Sequence, residues 1–449
     1  MTELIVVLAL IVALAFLLSR WLLRVFDEAR FRPDALHRWV EAPLYRLVGS
    51  QPNALMGWRS YFVALLTFNL LLGAFACVVF MTQTWLPLNP DGVPNMSWDL
   101  ALHTAVSFMT NTNQQHYSGQ AQLSHLSQTL VIVTLQFVTP ATGLVAAVAM
   151  LRGLRGGYRA DVDAEPEAGK LGHFHVDLIR SLTRVFLPLA LVLATLLSWQ
   201  GVPASYQAAA TADIVEPNAA MAQQSIPLGP VAPMVAIKQL GTNGGGWYGP
   251  NSATPLENPT PTSNVLQTIA ILLIPMALAM AAGPLLGRPR ISYLIVSVMT
   301  LLSASLITLV VSSEIAPNAA TAELSVGPNL EGKEVRNGPV MSALWATFTT
   351  QTSNGSVNAM HDSLNPMGGA VALTGMFINS IWGGVGVGLI GFLIFLLIAV
   401  FLAGLMVGRT PELFGRKLDI PIIQGLAALV ILPPLVILGL SAITLVAAR

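Results

Sequence analysis

The sequence predicts an all-α membrane protein of pseudo-repeated units. Each unit is a span, a re-entrant pore loop and a second span, and there are three full repeats plus the first helix of a fourth. Three observations predict it. Of 449 residues, 54% are hydrophobic and only 10% are charged, against about 25% charged in a soluble globular domain. Apolar runs long enough for the ~20 residues of a bilayer crossing recur along the whole chain. Three polar turns of related composition, each preceded by a short apolar segment, recur in the loops between those runs.

The runs are 4–23, 61–81, 129–151, 176–199, 265–286, 291–311 and 420–447. An eighth stretch, 370–407, is longer than one span needs and is interrupted by Gly383, Gly384, Gly386 and Gly388. Non-helical backbone at membrane depth is tolerated only where it is buried in protein or lines a cavity. This stretch is therefore read as one span with a broken middle. On spacing alone its glycines indicate only close backbone approach.

The first run has no basic residues before it, and Arg20 and Arg24 follow it. That is the reverse of a secretory signal, so it is read as a retained span with its N-terminus outside. Arg24, Arg30, Arg32, Arg38, Arg46 and Arg59 separate the first two spans, and Arg152, Arg155, Arg159 and Lys170 precede the fourth. Arg288 and Arg290 separate the fifth and sixth, and Arg409, Arg416 and Lys417 precede the last. The intervening loops 82–127 and 200–264 hold one lysine between them. Cytoplasmic loops carry the lysine and arginine excess, so the long polar loops face outward. The 22 basic residues balance 22 acidic ones, which leaves no electrostatic case for nucleic acid. Cys77 is the single cysteine, so a disulfide framework and a cysteine metal cluster are excluded, and it is read as a small core residue.

The first outward loop runs from Trp98 to Thr110 and then reads Asn111-Thr112-Asn113-Gln114-Gln115. The second runs from Pro230 to Gly241, then Thr242-Asn243-Gly244-Gly245-Gly246. The third runs from Pro339 to Thr352, then Ser353-Asn354-Gly355-Ser356. Their shared core, Thr/Ser-Asn-Gly/Gln, pairs Thr112 with Thr242 and Ser353, and Asn113 with Asn243 and Asn354. Backbone carbonyls can replace the hydration shell of a potassium ion. Gly244, Gly245, Gly246 and Gly355 favour the extended backbone this needs, the hydroxyls add oxygens or hold the loop, and the asparagines brace it. No core holds a carboxylate, which argues against calcium or magnesium. Each short helix would end at its turn, where a helix C-terminus carries about half a negative charge. One such turn reads as an ordinary loop at a helix end; three on the same side read as a pore.

At these turns the sequence resembles the potassium-binding subunit of the Kdp pump, a bacterial P-type ATPase complex. The resemblance covers essentially the whole chain. It is carried by Leu86-Pro-Leu-Asn-Pro90, Ser97-Trp-Asp-Leu-Ala-Leu102, Tyr117-Ser-Gly119, Leu240-Gly-Thr-Asn-Gly-Gly-Gly246, Asn251-Ser252, Glu257-Asn-Pro259, Met360-His-Asp-Ser363 and Ala403-Gly-Leu-Met-Val-Gly-Arg-Thr-Pro-Glu412. It implies four pseudo-repeats around one pore, with Asn111, Thr112, Asn113, Gln115, Thr242, Asn243, Gly244, Ser353, Asn354 and Gly355 lining the filter. It implies a gate at Gly383, Gly384, Gly386 and Gly388, with Arg409 either latching it or acting as a positive-inside anchor. External K+ would bind at the filter, with no organic cofactor, and pass through an intramembrane tunnel to a partner. The implied partners are the catalytic P-type ATPase subunit, a single-span accessory subunit and a small single-helix subunit, in the bacterial plasma (inner) membrane. The chain has no Gly-x-x-x-x-Gly-Lys loop and no Asp-Lys-Thr-Gly site, consistent with a non-catalytic role.

Two departures from the family pattern follow. A chain that stops at Arg449 before a fourth turn is expected to be truncated and inactive. Asn379 stands where a glutamate is expected in many relatives and removes a charge there. The chain is divided accordingly into 1–60 (first span and basic segment), 61–160, 161–287 and 288–415 (repeats one to three) and 416–449 (the start of the fourth). Lys238 is read as snorkelling outward, the alternative being a buried cation that tunes the pore. His361 and Asp362 are read as bracing the filter by hydrogen bonds, the alternative being a proton relay, and His103 as packing. Two other functions fit the sequence: a stand-alone potassium channel or symporter subunit of the same superfamily, and a structural membrane subunit with no ion site.

Overall fold

The computed structural model describes residues 2–27, 31, 33–51, 54–159, 166–218, 221–318 and 327–447. Arg30, Arg32, the 160/161 repeat boundary and Arg449 lie outside the described residues. Among the described residues, eight helical segments are long and apolar enough to cross a membrane. They are α1 (Thr2–Phe26), then, past the short α2 (Ala42–Leu47), α3 (Trp58–Thr82) and its continuation to Trp85. After α4 (Trp98–Met109) and α5 (Gly119–Gln122), a π-helical stretch, Ser127–Val133, runs straight into α6 (Thr134–Arg155). A second, Leu182–Phe186, joins α7 (Phe174–Ser181) to α8 (Leu187–Trp199). Beyond α9 (Val231–Leu240) come α10 (Pro261–Leu285) and α11 (Arg290–Ile315), then α12 (Gly338–Gln351), α13 (Pro366–Ile378), α14 (Val387–Val407) and α15 (Ile420–Ala447). The loop before α9 adds a two-stranded hairpin, Ala210–Asn218 with Met221–Ile226, and two shorter pairings join Gly157–Tyr158 to Glu167–Ala168 and Glu412–Leu413 to Arg416–Lys417.

Two sequence expectations change. Residues 370–407 are not one span broken in its middle. α13 stops at Asn379, which takes a left-handed φ of 39°, and α14 begins at Val387. With 21 residues, α14 is about 32 Å long, enough to cross alone. Cys77 is only half-buried on α3, and its thiol approaches Met81 Sδ at 3.9 Å. It belongs to a helix whose Leu66, Leu70 and Phe75 are exposed, so it is not a core residue.

The chain forms two compact units, Met1–Leu389 and Ile390–Arg449. In the first, α10 is enclosed along most of its length, and α1 packs against it. α3 and α11 keep apolar exposed faces, the pattern of a span with lipid on one side. On the basic side, the Arg152 guanidinium of α6 donates to both Asp177 oxygens at 2.7 and 3.1 Å and to the Phe26 carbonyl at 3.1 Å. The Tyr61 hydroxyl of α3 donates to the same carboxylate at 3.1 Å. One buried ion pair thus ties the ends of α1, α3, α6 and α7. Arg184 ion-pairs with Glu41 and with Asp34, whose carboxyl it holds well below the usual range. In the second unit, Leu397, Leu418 and Leu426 form a buried cluster, and the Arg409 N–H donates to the Gly404 carbonyl at 3.0 Å.

Candidate functional site

The three short helices of the long polar loops are α4, α9 and α12, of 12, 10 and 14 residues. At 1.5 Å per residue they are about 15–21 Å long, too short to cross ~30 Å of hydrocarbon. Each ends in a polar turn built the same way. Left-handed φ values alternate with ordinary ones: Asn111 (62°) and Asn113 (53°) flank Thr112, Thr242 (52°) and Gly244 (83°) flank Asn243, and Ser353 (53°) and Gly355 (80°) flank Asn354. Alternation of handedness turns successive N–H groups into one concavity. Here that concavity holds a carbonyl of the preceding helix. Thr112 and Asn113 N–H donate to the Ser107 carbonyl, Asn243 and Gly244 N–H to that of Lys238, and Asn354 N–H to that of Thr349, all at 2.9–3.1 Å.

With the N–H groups turned inward to the helix end, the carbonyls face the other way. Among the described residues, no donor reaches the carbonyls of Asn111, Thr112, Asn113, Thr242, Asn243, Ser353, Asn354 or Gly355. The next carbonyls are all engaged. Ser107 Oγ donates to Gln114 O at 3.0 Å, Asn251 Nδ2 to Gly244 O at 2.5 Å, Gln136 Nε2 to Gly245 O at 2.7 Å, and Trp345 Nε1 to Ser356 O at 2.9 Å. Backbone carbonyls seldom lack partners inside a protein, so these rows stand out as oxygens without a protein donor.

The same geometry corrects the alignment of the first turn. Its helix caps at Thr110, where the others cap at Gly241 and Thr352. Asn111 therefore matches Thr242 and Ser353, and Thr112 matches Asn243 and Asn354, one residue earlier than the shared Thr-Asn core suggests. Asn113 occupies the left-handed position that glycine fills in the other two. Asparagine tolerates that conformation better than other residues with a Cβ, and this is what hid the register.

The turns touch in sequence. The Asn111 and Asn243 side-chain amides hydrogen-bond each other. The Gln115 amide pairs with both the N–H and the carbonyl of Gly246 at 3.0 Å each. Asn354 Nδ2 donates to the Lys238 carbonyl at 3.1 Å, and Ser356 Oγ to Gln239 Oε1 at 2.9 Å. A Cβ on Gly244 would stand 1.7 Å from the Asn354 carbonyl oxygen, so that position needs glycine for closeness as well as for φ.

The interrupted stretch 379–386 lies against the same turns. The Gly383 N–H donates to the Gln351 carbonyl at 2.9 Å and the Val385 N–H to Thr242 Oγ1 at 3.0 Å. The side chain of Asn379 hydrogen-bonds the Ser353 hydroxyl. Gly386 is held so close to α6 that a Cβ there would stand 2.0 Å from the Gly143 carbonyl. Gly383 and Gly384 share this segment, Gly388 lies in the first turn of α14, and Arg409 belongs to the second unit.

Three side-chain readings resolve as follows. Lys238 does not snorkel outward: it is fully buried and ion-paired with the equally buried Glu257. A buried ammonium needs a counter-charge, and Glu257 is the carboxylate that closes the same loop. That demand was the signal by which Glu257, and Asn251 beside it, could have been found in the sequence. His361 and Asp362 make no side-chain hydrogen bond to a turn among the described residues. Asn329, Lys333 and Asn365 instead knit this region to Glu314. His103 packs edge-on against His116, ring centroids 4.4 Å apart.

Residues 5–449 match the family described as Potassium-transporting ATPase A subunit. The chain belongs to that family. A Pseudomonas putida protein named potassium-transporting ATPase potassium-binding subunit is 46% identical over 429 residues, 95% of this chain and 74% of that protein. Relatives of the same name from Alicyclobacillus acidocaldarius (46% identical; 98% of this chain, 76% of the relative) and Gloeobacter violaceus (41%; 99% and 77%) are similar throughout. The family match takes in the three turns, the 379–386 segment and the Arg152–Asp177 pair alike.

Proposed function

We propose that the chain is the potassium-binding and translocating subunit of a bacterial ATP-driven potassium uptake pump. Asn111, Thr112, Asn113, Thr242, Asn243, Ser353, Asn354 and Gly355 present the oxygens that replace the ion's water, Gly244, its carbonyl held by Asn251, lines the site beside them, and Gln115 ties the first turn to the second. The observation that carries this reading is the run of unpaired carbonyls on three touching turns of alternating handedness. A row of neutral dipoles at helix C-termini suits a monovalent cation that must also leave. Each turn belongs to one unit, 61–160, 161–287 and 288–415.

The 379–386 segment, braced on Thr242 and Gln351, is the gate, with Gly383, Gly384 and Gly386 as its pivots and Gly388 just beyond it at the start of α14; Arg409 is a positive-inside anchor. ATP hydrolysis belongs to a catalytic P-type ATPase subunit, assembled with a single-span accessory subunit and a small single-helix subunit. The chain sits in the inner membrane with its N-terminus outside, in accord with the placement of its arginines. The test is thermal unfolding of the purified chain across KCl and NaCl series. A bound ion stabilises the folded state by mass action, so KCl raises the midpoint at far lower concentration than NaCl. Equal protection by the two salts refutes the proposal.

A further inference from the structure

Behind the second turn lies a buried chain of polar groups whose order follows from what each can donate. Glu257 accepts from the Tyr248 N–H at 2.9 Å through one oxygen and ion-pairs with Lys238 through the other. The Lys238 ammonium also donates to Asn251 Oδ1 at 2.5 Å. An ammonium has donors only, so it selects the oxygen of the Asn251 amide and turns the NH2 group away. The Ser252 N–H, donating to the same oxygen at 2.8 Å, acts in the same sense. The NH2 group then donates to the Gly244 carbonyl at 2.5 Å, and the left-handed φ of 58° at Asn251 sets the turn from which the amide reaches it. Lys238 acts on the site a second way, since its carbonyl accepts from the Asn243 and Gly244 N–H groups and from Asn354 of the third turn.

We propose that Lys238 is a positioning residue that sets the ion selectivity of the turns: by fixing which way the Asn251 amide points, it holds the Gly244 carbonyl in register with the unpaired carbonyls of Thr242 and Asn243. Without the ammonium, only the Ser252 N–H is left to hold the sense of the amide, and the fixed end of the row is weakened. Selectivity by a carbonyl row depends on that geometry being held. The inference rests on the potassium reading above.

The test uses the full chain in detergent, with thermal protection midpoints measured in KCl and NaCl at constant ionic strength. The readout is their ratio, which the amount or general stability of folded protein does not move. Lys238→Met and Asn251→Asp, the second keeping the acceptor but losing the donor to Gly244, are expected to fold and to lower the sodium-to-potassium ratio at least tenfold. Lys238→Arg, still donor-only, keeps it within threefold. Folded Met and Asp variants with the wild-type ratio overturn the inference. So does failure of both to fold, which assigns the network a structural role alone. A wild-type chain that fails to distinguish the two salts overturns the potassium reading itself, and this inference with it.

Discussion

Gly244 and Gly355 occupy equivalent positions with nearly equal φ, 83° and 80°, yet alanine at the two should have different consequences. Either substitution puts a Cβ residue into the left-handed region, which destabilises by about 1–2 kcal/mol. At Gly355 nothing lies within 4 Å of the new Cβ, so this strain is the whole effect. At Gly244 the Cβ stands 1.7 Å from the Asn354 oxygen, where carbon–oxygen contact begins near 3.3 Å. One turn must retreat from the other by roughly 1.6 Å, several times the ~0.5 Å a binding constellation tolerates. Gly355→Ala is therefore expected to lower the unfolding midpoint while leaving the potassium protection midpoint within threefold. Gly244→Ala should raise that protection midpoint tenfold or more, about 1.4 kcal/mol of binding. Unfolding scans of both variants over a KCl series measure the two effects separately. If both alanines weaken potassium protection equally, the close approach of the second and third turns has no part in binding.

Asp177→Asn leaves Arg152 buried without its counter-charge, a change that destabilises by about 3–5 kcal/mol; detergent unfolding and membrane yield should both fall, with the potassium-to-sodium ratio unchanged. Asn379→Asp places a carboxylate beside Ser353 and should tighten cation protection generally, sodium included, in a way that fades as ionic strength rises; a selective gain for potassium alone contradicts the contact. Burial lowers the pKa of His361 from its ordinary 6.5. Below 6.5 the unfolded chain takes up a proton that the folded chain refuses, so stability is complete above that value and declines as pH falls toward the depressed one. His361→Gln should flatten the difference in unfolding midpoint between pH 7.5 and pH 5.5, and an unchanged difference rules this histidine out as its source.

The spans and re-entrant helices were legible because length and hydropathy decide them: α4, α9 and α12 fall within a residue or two of the segments read from the chain. The polar turns were legible for the same reason, being interruptions in apolar sequence. Their register was not. The residue matching Gly244 and Gly355 is Asn113, and what fixes it is an N–H bonded to the Ser107 carbonyl, which no composition records. Lys238 misled because a lone lysine in an outward loop has water within reach of its long stem. Only the fold brings Glu257 back over α9, nineteen positions on. The break in 370–407 was visible as glycines, but its position was set by Asn379, whose left-handed cap ends α13 before the first of them.

The paired contact between Gln115 and Gly246 has a mechanical consequence. A carboxamide whose donor and acceptor are both taken by the N–H and C=O of a single residue behaves like a rung of β-ladder supplied by a side chain. It resists sliding along the chain direction as well as separation. With Asn111 against Asn243 as a second contact, the first two hairpins are clasped at two points and can dilate only together. If the turns hold the ion as proposed, an undersized ion cannot draw in one wall to fit itself; it must deform the assembly of loops as a block, and the stiffness of that block rejects it.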